Sequence, residues 1–287
     1  TLALMLGAHA ADQMENFELR DRYLHEIEHL PQKQQLSRHL LLAESALGRR
    51  DYPTAAQNLE AAAKINGNLS RLVRLQLRYA FDHGDASDVL AKAEKLVKAG
   101  AINDYEAEQY QNWAYRSLLS EVTDAGRLKA CLKQIPESVK SGELCVAIAE
   151  KYERLGLYAE AVKWVKTHYP QNRQPELLEA FVESVRFLSE RDQQKAIDLA
   201  DSWLEEQPDN ALLLMYLGQL AYGRKLWGKA QGYLEASIAL QPSVSAHLVL
   251  ARVFDETDQP QKAQEQRNLV LESVAEEEHP AALPQPN

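Results

Sequence analysis

The stretch YLGQLAYGRKLWGKAQGYLEASIALQP at residues 216–242 carries the pattern on which the fold prediction depends. Its apolar residues recur three and four positions apart in two segments, as they do in amphipathic helices. A Lys-Ala step that ends at Ala230 precedes Pro242 by twelve residues. Because proline cannot continue a helix, Pro242 marks the end of the second segment. The stretch therefore predicts a helical hairpin.

The same pattern recurs along the chain. A small apolar residue marks each unit, with separations of 34 (55 to 89), 35 (161 to 196), 34 (196 to 230) and 33 (230 to 263). The gap of 72 between positions 89 and 161 leaves room for two units. We therefore predict eight helical hairpins of about 35 residues. The small residues are Ala55, Val89, Ala161, Ala196, Ala230 and Ala263, and an aromatic residue precedes three of them at Tyr52, Tyr158 and Trp227.

The unit at 211–244 resembles the tetratricopeptide repeat (TPR). Gly218 and Ala230 would let the two helices approach closely, and the leucines would fill the space between them. The resemblance implies an all-α, TPR-like solenoid in which the first helix of each hairpin lines a binding face. The match is weakest at 104–137, where we expect irregular packing. The matching residues are Leu214, Leu217, Gly218, Ala230, Leu234 and Pro242.

Composition narrows the class of partner. The 287 residues carry a formal net charge of -10, which would repel phosphates, so no nucleic-acid partner is predicted. No stretch approaches the roughly 20 apolar residues of a membrane span, so this segment is not predicted to cross a bilayer. Cys131 and Cys145 fit neither a disulfide framework nor a zinc knuckle. We interpret them as buried helical thiols in a reducing compartment.

The sequence HEIEH at 25–29 matches the H-E-x-x-H pattern of zinc proteases. Helical phase places His25 and His29 opposite the apolar side of their helix, which is predicted over 17–30. Pro31 then ends that helix. A catalytic zinc site needs a buried and supported helix, so we interpret the match as a coincidence on a solvated face and predict no metal site. A zinc hydrolase using His25, Glu26 and His29 remains the remote alternative.

Two sets of residues fall at groove-lining positions of TPR geometry. Arg71, Arg74 and Arg78 are spaced i, i+3 and i+7, which suits a carboxylate-bearing ligand or peptide. The alternative is an ordinary solvated face that pairs with acidic neighbours such as Glu44. Apolar residues take the equivalent places farther along the chain, which implies a bound partner or closure of the superhelix. These are Leu178, Phe181, Val185 and Leu188.

The order of features also resembles the soluble part of the HemY-type inner-membrane proteins of Gram-negative bacteria. The match includes MENF at 14–17, RLVRLQLRYAF at 71–81 and EQYQNWAYRSLL at 108–119, followed by the C-terminal repeats. This resemblance implies a non-catalytic scaffold associated with late haem biosynthesis. Its partners would be haem-pathway enzymes, or a porphyrin whose carboxylates meet the arginines. It supplies no residue-level site.

The resemblance also implies a location, and the repeat spacing and tail composition give a domain plan. The chain begins at Thr1, and we expect two membrane spans upstream that place this domain on the cytoplasmic side of the inner membrane. We predict one solenoid over 1–274, with an N-terminal hairpin at 1–31, repeats at 36–137 and 139–274, and a disordered tail at 275–287. No cofactor is predicted. The histidines are interpreted as surface or turn residues rather than haem ligands: His39, His83, His168 and His247.

The second functional hypothesis is a generic peptide-binding TPR adaptor in envelope biogenesis. It uses the same groove positions and differs only in its partners. Recovery of the protein from membranes without haem enzymes would favour it over the haem-associated role.

Overall fold

The computed structural model describes residues 2–28 and 31–278. Within them the regular structure is helical: sixteen α-helices and one short 3-10 turn at Glu137–Val139. The helices follow one another as eight consecutive pairs, as the repeat spacing predicts. Contacts divide the chain into two compact units, Thr1–Val122 with Ala130–Val139, and Thr123–Lys129 with Lys140–Asn287. The prediction of one solenoid over 1–274 stays a prediction.

The first unit contains the first four hairpins, except that the eighth helix is divided between the two units. This helix belongs to the hairpin for which the sequence predicts irregular packing, and at 10 residues it is the shortest of the sixteen described. The helices are α1 (Leu2–Gln13), α2 (Phe17–Glu28), α3 (Gln32–Gly48), α4 (Tyr52–Asn66), α5 (Ser70–His83), α6 (Ala86–Lys98), α7 (Asp104–Ser120) and α8 (Ala125–Gln134).

The second unit contains the last four hairpins. Helix α16 continues through residue 278, four residues into the segment predicted as a tail, and residues 279–287 lie outside the described part. The helices are α9 (Gly142–Arg154), α10 (Tyr158–Asn172), α11 (Pro175–Val185), α12 (Glu190–Glu206), α13 (Ala211–Gly223), α14 (Trp227–Leu240), α15 (Val244–Glu256) and α16 (Pro260–Glu278).

The repeat markers have the structural roles that their spacing predicts. All six small residues lie in second helices and are at most 3% exposed. The aromatic residues Tyr52, Tyr158 and Trp227 each begin a second helix. At Gly218 an added Cβ would lie 2.5 Å from Leu234 Cγ, so this glycine permits the contact between α13 and α14. The second helix ends at Leu240, before Pro242.

A common turn joins the two helices in most hairpins. The residue two positions before the start of the second helix has a positive φ, for example 75° at Gly84, 70° at Gly156 and 57° at Lys225. The next amide then donates to a carbonyl five residues earlier, as Leu226 N does to Ala221 O at 2.9 Å. This is the bond pattern of a Schellman C-cap, and it satisfies a carbonyl that the helix leaves free. The turn fixes the angle at which each second helix leaves the first.

A buried arginine in the first unit was not indicated by the apolar pattern. Arg20 lies on α2 and is 4% exposed. Its Nη1 donates to Asp12 Oδ1 at 3.0 Å and to Ser45 Oγ at 2.8 Å, and Ser45 Oγ donates to the same Asp12 oxygen. The guanidinium also lies 4.9 Å from the Phe17 ring centroid. These contacts connect α1, α2 and α3 through one charged group.

Candidate binding surface

Helix α5 presents the three predicted arginines on one exposed side. Arg71, Arg74 and Arg78 are exposed, while Leu72 and Leu77 on the other side are at most 2% exposed. This separation follows from helical periodicity, since positions i, i+3 and i+7 share one face. The three arginines therefore share one exposed side of α5, and their role in a binding groove stays a prediction.

Two of these arginines connect first helices of neighbouring hairpins. Arg71 Nη2 lies 2.7 Å from Glu44 Oε2 on α3, which is the acidic neighbour expected from the sequence. Arg74 Nη1 lies 3.2 Å from Glu106 Oε1 on α7 and also donates to the Ala101 carbonyl. The side chains are about half-exposed (37–56%), so these pairs contribute little stability. These contacts hold the guanidinium groups of Arg71 and Arg74 in place between α5 and the neighbouring first helices α3 and α7.

The third arginine lies beside an aromatic cluster. Arg78 has no hydrogen-bond or ion-pair partner in the part of the chain that the structure describes. Phe81, one turn along the same side of α5, is 38% exposed. Its ring centroid lies 4.5 Å from that of Trp113 and 6.0 Å from that of Tyr110, both on α7. We name Arg71, Arg74, Arg78, Phe81, Tyr110 and Trp113 the arginine-aromatic surface.

The aromatic half of this surface was not found from the sequence. Tyr110 and Trp113 are three residues apart within EQYQNWAYRSLL, a spacing that places them on one side of a helix. The sequence therefore indicated that the two rings share one side of α7. It did not indicate that this side faces α5, because that depends on how the two hairpins pack. The structure therefore adds a stacking platform to the cationic group that the sequence indicates.

Two first helices of the second unit, α9 and α11, bring carboxylates together. Glu153 on α9 faces Glu179 and Glu183 on α11, and burial together with these carboxylates raises the pKa of Glu153. Burial and the same glutamates on α11 raise the pKa of Tyr216 to about 12. The sequence pattern did not indicate this cluster of carboxylates on α9 and α11.

The predicted apolar groove residues require a correction. Leu178, Phe181 and Val185 are 1–2% exposed and lie in the main hydrophobic cluster of the second unit. Phe181 packs on Trp203, with ring centroids 5.1 Å apart. They face the core because α12 and α13 cover that side of α11, so they do not line an open groove. Leu188 follows α11 and is half-buried at the edge of a small cavity of about 260 Å³.

The described part of the zinc-protease match, residues 25–28, includes exposed side chains. The side chain of His25 is 71% exposed, and its Nδ1 lies 3.2 Å from Glu28 Oε2. Glu26 is exposed as well, whereas Leu24 and Ile27 on the same helix are buried. His29 lies outside the described residues. Within residues 2–28 and 31–278, no group of three His, Cys, Asp or Glu side chains is placed to hold a metal ion.

The four histidines considered as haem ligands have local partners. His39 Nδ1 lies 2.9 Å from Asn58 Oδ1, and His247 Nδ1 lies 2.7 Å from Gln266 Oε1. His83 and His168 each contact a backbone carbonyl four residues earlier. His168 also stacks on Trp164 with centroids 3.7 Å apart. These contacts fit structural roles within hairpins.

The two cysteines have different environments. Cys145 is fully buried, as predicted, but Cys131 is only half-buried. Burial raises the pKa of the Cys145 thiol to about 11. Compared with an ordinary cysteine of pKa near 9, this lowers the reactive thiolate fraction at pH 8 roughly 100-fold.

We therefore expect Cys145 to resist thiol reagents in the folded protein. With Cys131 replaced by serine, labelling by dithionitrobenzoate at pH 8 should be at least about 100-fold slower in buffer than in denaturant. The Cys145→Ser protein, which retains Cys131, serves as the control and should label much faster. Equal rates for the two thiols in buffer would contradict the buried placement.

The paired helices, the common turn and the buried small residues define an all-α, TPR-like helical-repeat protein. No protein-family model matches the chain, and no curated protein matches it. Among the residues that the structure describes, no helix is both long and apolar enough to cross a membrane.

Several solved structures are similar to this fold. A point mutant of MamA is 14% identical, with 59% of this chain and 99% of that chain covered and a TM-score of 0.37. A human IFIT1 dimer with m7Gppp-AAAA is 18% identical, with 92% and 66% covered and a TM-score of 0.41. Yeast Tom70 is 12% identical, with 96% and 69% covered and a TM-score of 0.36. At these identities the similarity concerns the fold alone.

Proposed function

We propose that this protein is a non-catalytic adaptor that binds partner proteins through the first helices of its hairpins. The observation that carries the proposal is the arginine-aromatic surface. The guanidinium group of Arg78 can hold a carboxylate in a two-pronged hydrogen-bonded pair. Arg71 and Arg74, which pair with Glu44 and Glu106, add positive charge beside it. The exposed ring of Phe81 offers an apolar contact next to them. Charged and aromatic groups combined in this way are typical of residues that dominate binding at protein interfaces.

The finer proposal is a HemY-type scaffold associated with late haem biosynthesis. Its support is the order of sequence features along the chain. In this role the protein would hold haem-pathway enzymes, or receive a porphyrin whose carboxylates lie near Arg71, Arg74 and Arg78. The same resemblance supports a membrane anchor upstream of this chain and a cytoplasmic position for the domain. A generic peptide adaptor in envelope biogenesis is the alternative, because it would use the same surface.

Crosslinking in cells would test the adaptor function. A photoreactive benzoylphenylalanine at position 81 is expected to capture haem-pathway enzymes in membranes of the source bacterium. Charge reversal of Arg71, Arg74 and Arg78 to glutamate should lower capture at least about tenfold, because it replaces attraction by repulsion. The matched control is Arg127→Glu, which changes an arginine that is 71% exposed outside this surface. Capture of envelope-assembly proteins alone would support the alternative partner class.

A porphyrin titration would test the ligand separately. We expect protoporphyrin to shift its main absorption band on binding, and the triple Arg→Glu protein to bind at least about tenfold more weakly. Binding that is unchanged in the triple variant would contradict a porphyrin role for these arginines, and so would no binding at all. The enzyme-binding proposal depends on the crosslinking result and not on this one.

The zinc-hydrolase alternative has a direct measurement. It requires about one zinc ion per chain, held by His25 and His29. Metal analysis of the purified protein after mild chelation is expected to show far less than that.

A further inference from the structure

A cavity of about 420 Å³ lies within the second unit. Residues at the C-terminal ends of α11 and α13 line it, together with residues of α12 and α15. Its apolar floor includes Val185, Leu220 and Val249, each at most 9% exposed. This volume falls in the range of pockets that take small organic molecules. The arginine-aromatic surface belongs to the first unit and shares no residue with the cavity.

Three arginines line the same cavity. Arg186 follows α11, Arg224 follows α13, and Arg252 lies within α15. Gln219 adds an amide that can donate or accept hydrogen bonds. Three guanidinium groups that line one cavity repel one another unless anions compensate their charge. The charge balance of each arginine therefore decides what the cavity can bind.

Arg224 is the most buried of the three arginines. Its side chain is 24% exposed, and its Nε is buried without a hydrogen-bond partner in the described part of the chain. Its one ion-pair partner is Glu190, at 3.4 Å, and that carboxylate is 89% exposed. Such an exposed partner compensates a charge weakly. A buried N–H without an acceptor is unfavourable, so an acceptor supplied by a ligand would bind favourably here.

The other two arginines differ from each other. Arg186 Nη1 lies 2.9 Å from Glu183 Oε2, three residues earlier. Arg252 is exposed and has no ion pair or hydrogen bond to any residue that the structure describes. The cavity thus holds one paired arginine, one weakly paired arginine and one unpaired arginine.

Helix electrostatics do not account for this arrangement. A cation at a helix C-terminus interacts favourably with the helix dipole, and Arg186 and Arg224 are both at such positions. Arg252, however, lies four residues before the end of α15, and the dipole effect does not supply an acceptor for Arg224 Nε. Binding of an anion would satisfy both groups at once.

We propose that this cavity binds a small organic anion with an apolar body and a carboxylate or phosphate head group. The head group is held between Arg224 and Arg252, where it accepts hydrogen bonds from the unpartnered donors. The apolar body lies against Val185, Leu220 and Val249. This site goes beyond the adaptor function and does not depend on it, because the two lie in different units.

Calorimetry with a matched set of eight-carbon probes tests the site. Octanoate and octyl phosphate are expected to bind at least about tenfold more tightly than octanol or octylamine, since only the anions pair with guanidinium. The anion that binds more tightly shows which head group, carboxylate or phosphate, the cavity prefers. Equal binding of octanol would overturn the proposal, and so would tighter binding of a short acetylated acidic peptide than of either anion.

Two variants locate the anion. Arg224→Gln and Arg252→Gln should each weaken binding of the tighter anion about tenfold or more, whereas Arg154→Gln, at an arginine that is 75% exposed on α9, should not. Arg224→Lys keeps the charge without the planar fork and should give an intermediate loss. Thermal unfolding by circular dichroism checks that each variant is folded. Affinity unchanged in both Gln variants contradicts the proposal, and if one variant is unfolded the other decides.

Discussion

Replacement of Gly218 by alanine is expected to destabilise the second unit by about 2–3 kcal/mol. The added Cβ would lie 2.5 Å from Leu234 Cγ and 2.8 Å from Leu234 Cδ2. Leu234 is fully buried, so it cannot move aside without displacing its own neighbours. Urea unfolding followed by tryptophan fluorescence would measure the loss, because Trp203 and Trp227 lie in this unit.

A matched glycine provides the control for this prediction. Gly232 lies within α14, and a Cβ there would meet nothing within 4 Å. Gly232→Ala should therefore raise stability by about 0.5–1 kcal/mol through helix propensity alone. Leu234→Ala added to Gly218→Ala should cost less than the sum of the two single changes, since the smaller side chain makes room for the new methyl group. Equal effects of Gly218→Ala and Gly232→Ala would contradict the close contact of α13 and α14.

The second large effect is expected at Arg20. Arg20→Met would leave Asp12, which is 12% exposed, without its cation. Breaking a buried ion pair from one side is strongly destabilising, and we expect a loss of about 2–4 kcal/mol in the first unit. Trp113 lies in that unit and would report its unfolding in urea.

A double variant separates the lost ion pair from lost packing. Arg20→Met with Asp12→Leu should recover part of the stability, because no charge is then buried without a partner. Arg127→Met removes an exposed ion pair with Asp124 and should change stability little. If the double variant is as unstable as the sum of the two single ones, the charged contact is not the cause.

Much of the fold could be predicted because its repeat depends on local spacing. Ala230 and Gly218 must be small for two adjacent helices to meet, and Trp227 and Pro242 mark where the second helix begins and ends. These requirements recur from unit to unit, so a weak signal becomes clear when units are aligned. The arginines of α5 could be placed on an open face for the same reason.

The interior could not be assigned in the same way. Phe181 and Val185 stand at positions equivalent to the arginines, but the packing of α12 and α13 against α11 covers them. Arg20 has the sequence context of an exposed residue, and only the approach of α1 and α3 gives it Asp12 and Ser45 as partners. Helical phase specifies the side of a helix on which a residue lies. The helices that pack against that side depend on residues far along the chain.

The sequence by itself determined the helical hairpins, their number and the small residues at which paired helices meet. These features arise from propensity, periodicity and the size of single residues within about 35 positions. Only the tertiary structure decided which charges have partners. Arg71 pairs with Glu44 across 27 positions, and Arg252 and Arg224 line one cavity among α11, α12, α13 and α15. Coulombic interactions and burial depend on distances between side chains in space, and these distances cannot be predicted from a repeat pattern.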